Sequence, residues 1–235
     1  MAVFENPIVY SMIARDALIV LPLRWKKELD MSFVRDEERV ALTRLPRVTK
    51  PMIPQVHPVL EEALLKPITQ EVGPSSHHFT APGSDELTTR IVESARTAIE
   101  CWAGKSGSAQ RFSSLGQLAH RVIDAENPFS MLDDSDQSNM LRERLASDLA
   151  LHLPDLPFLW RLANSPDVRA DVQLMPFESA DGVRIHMGRR VELAVPIANG
   201  YLVGNGYPAI ANEIGSWYND IVNTIGKVWL NCVLR

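Results

Sequence analysis

The chain has 235 residues, with 24 Lys and Arg against 29 Asp and Glu, for a formal net charge of −5. Hydrophobic residues make up 46% and charged residues 23%, a globular composition that excludes a disordered chain, and the acidic balance argues against a surface built to grip duplex nucleic acid or an anionic membrane. A chain of this length is expected to form one domain, 1–235, burying roughly 70–75% of its unfolded surface without disulfide staples.

The N-terminal segment reads as a helix. Ile13, Ala17 and Leu21 recur every four residues with Tyr10 one turn earlier on the same face, and Pro22 ends the run. Arg15 and Asp16 interrupt this apolar stretch and Glu5 precedes it, unlike a secretory leader. No run approaches the roughly 20 apolar residues of a membrane span. Cys101 and Cys232 sit in apolar surroundings and read as buried thiols, which suits a reducing cytoplasm.

Residues 43–83 carry seven prolines and read as an irregular wrap, interrupted by a short helix around Leu60–Leu65. A helix follows, capped by Ser84, with Asp85 and Glu86 in its first turn and a stripe of Leu87, Ile91, Ala95, Ala98 and Trp102. Gly104–Gly107 breaks it. The next helix runs from about Ala109 to Glu126, and another spans Ser138 to His152. Short β-branched or alternating runs at Asp171–Phe177, Val183–Met187 and Arg190–Ile197, with Asp181-Gly182 as a turn, predict a small antiparallel β element at 170–198. A closing helix from Pro208 to about Val233 bears Ile210, Ile214, Trp217, Ile221 and Ile225. The fold class is therefore mainly α, a helical core over 1–164 followed by a β element and C-terminal helix over 165–235.

Two segments could carry chemistry. His120 and Asp124 are four residues apart, so one helix face presents both, and an imidazole and a carboxylate at that spacing can share a metal ion. Taken alone, the pair reads first as a buried histidine hydrogen-bonded to an aspartate. Gly116, one turn earlier, leaves room for another backbone to approach. Adjacent His77 and His78 in the wrap are a second metal signal, or a pair of solvated side chains.

Together these segments resemble the superfamily of zinc-dependent phospholipases C and single-strand nucleases. Its first helix reads His-x-x-Ile-x-x-x-Ala and ends in Leu-Pro. Tyr10-Ser11-Met12-Ile13-Ala14-Arg15-Asp16-Ala17, with Leu21-Pro22, matches except at the histidine. Its Ser-His-Phe-like stretch resembles Ser76 to Pro82, with His78 as the ligand match. Its central helix reads Leu-Gly-x-x-x-His-x-x-x-Asp-x-x-x-Pro-x-His. Leu115, Gly116, His120, Asp124 and Pro128 match, and Ser130 replaces the last histidine. The resemblance covers roughly residues 7–150 and implies a multi-helix bundle of the phospholipase C type.

The superfamily's three-metal cluster would be depleted here. Tyr10 replaces a ligand of one metal, whose other ligand is the processed N-terminus where this chain has Met1. Ser130, Asn139 and Glu143 stand where a second metal is held. His78, His120 and Asp124 retain the set for the third, with Glu61 or Glu62 as an added carboxylate. The resemblance thus implies a single divalent metal, zinc first and iron or manganese as alternatives, and an enzyme of phosphoester-hydrolase ancestry. Tyr10 would serve as proton donor and Glu143 as general base, with the core aromatic and the exposed glutamate as their plainer readings. The alternatives are a repurposed lyase, cyclase or isomerase acting on a small metabolite, and a non-catalytic binding protein.

Other features carry less. Gly104-Lys105-Ser106 lacks the leading glycine of a phosphate loop, and Gly200–Gly206 lacks dinucleotide-binding spacing. His186 reads as structural, Arg189 and Arg190 as surface charge able to meet a phosphate, and Trp217, Tyr218 and Trp229 as core or a homodimer surface. The expected partner is a small-molecule substrate, and the expected location cytoplasmic.

Overall fold

A computed structural model describes residues 7–21, 27–31, 54–70, 85–126, 144, 147–148, 151–152, 177, 179–203, 206 and 211–233. These residues are mainly helical. Six long helices, in chain order, are α1 Pro7–Val20, α2 Pro58–Gln70, α3 Asp85–Ala103, α4 Ser108–Glu126, α5 Ala180–Val203 and α6 Ala211–Val233. Among the described residues the sole β pairing is an isolated antiparallel bridge between Asp30 and Val56.

The stripes expected from periodicity form the core. Tyr10, Ile13, Ala17 and Leu21 are buried, as are Ile91, Ala95 and Ala98 on α3 and Ile214, Trp217, Ile221 and Ile225 on α6. The wrap's helix is longer than expected, reaching from Pro58 to Gln70. Pro58 occupies the first helical position, where a missing amide costs nothing. His57 caps it, its Nδ1 accepting the Val59 N–H at 3.2 Å. Arg144, Ser147, Asp148, Leu151 and His152 are helical, in line with a helix over 138–152.

Helix α4 is the axis of the fold, packing against each of the other five helices. Twelve of its residues are buried, and its last turn, Val122 to Glu126, is enclosed on every side. Its tightest neighbour is α2. A Cβ on Gly116 would fall well inside van der Waals contact with the Leu60 carbonyl oxygen and 3.0 Å from Ala63 Cβ. Glycine is therefore what lets the two backbones meet. Apolar residues from all six helices form one buried cluster. Cys101 and Cys232 are free and buried. No helix among the described residues is long and apolar enough to cross a membrane.

The predicted β element is corrected over 180–198, where the chain is helix α5; residues 171–176 lie outside the described residues. Asp181-Gly182 is not a hairpin turn but the first turn of that helix. The Ser179 hydroxyl accepts the Gly182 N–H at 3.1 Å, and its carbonyl accepts the Val183 N–H at 3.0 Å. Ser179 is thus an N-cap, with Asp181 placed where the helix dipole favours an anion. Val183 and Tyr201, both buried, are five full turns apart, a helical repeat that the short alternating runs concealed. Pro196 lies inside the helix on its exposed side.

Candidate active site

Helix α4 carries His120 and Asp124 into the interior, at 3% and 8% exposure. Their one-turn spacing brings His120 Nε2 to 3.1 Å from Asp124 Oδ2. From α1, Tyr10 is directed inward by the same stripe that buries Ile13 and Ala17, and its hydroxyl donates to Asp124 Oδ1. The Tyr10 and His120 rings lie 5.3 Å apart between centroids, inclined by 32°. One carboxylate therefore serves a phenol through one oxygen and meets an imidazole with the other. Three of the residues singled out from the sequence, Tyr10, His120 and Asp124, thus lie in contact with one another.

Of the remaining predicted residues, Glu61 and Glu62 are not brought to it. His78 and Glu143, with Ser130 and Asn139, lie outside the described residues. Glu61 lines a surface groove of about 470 Å³ between the starts of α1 and α2, beside Ser11 and Arg15, and Glu62 is exposed. Among the described residues no group of three or more His, Cys, Asp or Glu side chains could hold a metal. The donor pair itself is compatible with one. Two ligands about 2.0–2.1 Å from a tetrahedral ion stand about 3.3 Å apart, close to the separation of His120 Nε2 from Asp124 Oδ2.

Three further carboxylates among the described residues are buried, Asp16, Asp30 and Glu126, and two of them meet titratable partners. Asp16, 1% exposed on α1, accepts from the Tyr218 hydroxyl of α6 at 2.8 Å and from Arg15 Nε at 3.0 Å. Burial raises the Asp16 carboxyl above its ordinary range, outweighing the opposing pull of the Arg15 charge and the Tyr218 hydrogen bond. Burial, then the adjacent carboxylate, push the Tyr218 phenol well up. Glu126, 1% exposed at the end of α4, lies 2.7 Å from His186 Nε2 on α5, while its carbonyl accepts the Trp217 indole N–H at 2.7 Å. The signal for Asp16 was present: a carboxylate within the apolar stripe of the first helix needs a buried partner. His186 was hidden by the strand assignment.

No known protein family, curated protein or solved structure matches the chain.

Proposed function

We propose that this protein is a metal-dependent enzyme on a core of the zinc-dependent phospholipase C type, with one divalent metal, zinc by donor type, held by His120, Asp124 and His78. The observation that carries the reading is the convergence of Tyr10, His120 and Asp124 in the buried centre of the bundle. The imidazole Nε2 and carboxylate Oδ2 supply two of the ligands. When bound, the metal supplies Lewis-acid polarisation of a substrate oxygen. Asp124 orients the Tyr10 phenol through Oδ1 and holds its proton at a defined place, while burial keeps bulk water from competing for it. Such a phenol can give its proton to a departing oxygen, and the ancestral substrate class is a phosphoester.

A second reading is favoured by Tyr10 itself. A phenol where the superfamily places a ligand histidine supports proton transfer without a second metal to clamp a phosphate, which suits elimination, cyclisation or isomerisation of a small metabolite. A panel of chromogenic phosphodiesters, assayed with added zinc or manganese, separates the two. Hydrolysis that disappears in His120→Ala and falls about 10²–10⁴-fold in Tyr10→Phe supports the first reading. Absence of turnover with either metal removes the hydrolytic reading.

A further inference from the structure

The groove of about 470 Å³ between α1 and α2 has two walls of different origin. One is a stripe of α1, Ile8, Met12 and Arg15, whose spacing of four and three residues sets them in line. The other is the chain from Pro54 to Pro58, with Glu61 in the first turn of α2. That second wall is rigid. Pro54 and Pro58 fix φ at its two ends. Between them Gln55 donates its N–H to Asp30 Oδ1 at 2.8 Å and accepts the Met31 N–H at 3.0 Å, and Val56 forms a bridge with Asp30. The groove is therefore shaped before a ligand arrives, which limits the ordering cost of binding.

Its surface is apolar at Ile8, Met12 and Val56 and carries opposite charges on its two walls, Arg15 on α1 and Glu61 on α2. Arg15 is held from behind. Its Nε and Nη2 both reach Asp16 Oδ1, at 3.0 and 2.9 Å, while Tyr218 donates to Asp16 Oδ2 at 2.8 Å. A buried carboxylate thus grips one edge of the guanidinium and leaves the two N–H donors of Nη1 for an acceptor in the groove. The complementary molecule has a carboxylate for Arg15, a cation for Glu61 and an aliphatic body for the rest. Seven residues of helix, Ile8 to Arg15, make this wall about 10 Å long. A single amino acid carries both charges on one carbon and leaves most of that length bare, whereas two or three residues, at about 3.3–3.6 Å each, cover it.

We propose that the groove between α1 and α2 binds a di- or tripeptide with free ends and apolar side chains, its carboxylate on Arg15 and its ammonium on Glu61. The site is separate from the metal centre and does not rest on it. Titration of the full chain with a panel of di- and tripeptides built from Ala, Leu and Met, followed by amide chemical shifts, tests this. At least one should bind with a Kd below about 1 mM. Acetylating its N-terminus or amidating its C-terminus should each weaken binding at least about tenfold, the scale of one hydrogen bond to a charged group. Glu61→Gln should weaken the free peptide by the same factor and leave the N-acetylated form unaffected. Arg15→Lys, which keeps the charge but loses the fork, should weaken the free peptide and leave the C-amidated form unaffected. Failure of every member to bind, or binding indifferent to Glu61→Gln in the folded protein, overturns the proposal. Equal binding of a peptide capped at both ends also overturns it and leaves an apolar docking face.

Discussion

Two tyrosine–aspartate pairs join α1 to its neighbours, and they differ in their third member. Tyr218 and Asp16 are completed by Arg15, whose guanidinium lies 2.9 Å from the carboxylate and is 39% exposed. Tyr10 and Asp124 are completed by His120, which is buried with them. A guanidinium stays charged at any accessible pH, so Arg15 can neither exchange a proton nor bind a metal. An imidazole can give up a proton, take one or bind a metal. Both pairs fasten helices, but only the second has a third member able to exchange a proton or bind a metal. A buried polar cluster on its own does not mark a site; the identity of the partner does.

The largest effect should come from Asp16→Ala, which leaves the Tyr218 hydroxyl buried and unpaired. Urea denaturation should show a loss of about 3 kcal/mol. A loss under about 1 kcal/mol would mean that the pair does not fasten α1 to α6. Next come the two phenol deletions. Tyr218→Phe should cost about 1.5–2 kcal/mol, the scale of a hydrogen bond to a charged group, and leave metal binding intact. Tyr10→Phe should cost about 1 kcal/mol and act on turnover rather than on folding. Equal effects of the two on both readouts would erase the contrast.

Acidity sharpens the same contrast. The folded-state pKa of Asp16 is raised, so its contribution is fully present below about pH 4 and is lost as pH rises through the folded value. Denaturation midpoints of Asp16→Asn, which cannot ionise, should lack that decline. The smallest effect is at His57, whose pKa is lowered by burial. Its neutral ring stacks on Phe112 at 3.8 Å and caps α2, so its contribution is present above about pH 6.5 and is lost as pH falls through the folded value. His57→Asn should keep the cap and remove this dependence.

Much of the helical core was legible in the sequence because α1, α3, α4 and α6 write their burial as stripes of period 3.6, with Ser, Gly or Pro at their ends. Gly116 was legible for the same reason, whereas the approach of Tyr10 to Asp124, 114 residues apart, was suggested only by the resemblance. Helix α5 was not legible. Its buried positions are sparse, and Asp181-Gly182 imitates a hairpin turn while serving as a first helical turn after the Ser179 cap. Contacts such as Tyr218 to Asp16, 202 residues apart, have no local trace. A carboxylate in an apolar stripe announces that a partner exists without saying where the chain will bring it from.

The most direct test of a metal-binding centre is elemental analysis of protein purified without chelator, together with its His120→Ala and Asp124→Asn variants. The wild type should carry about one equivalent of divalent metal, with zinc foremost, and either variant near none. A folded wild-type protein that holds no metal even after zinc is added, or that keeps its metal when both side chains are changed, would contradict such a centre.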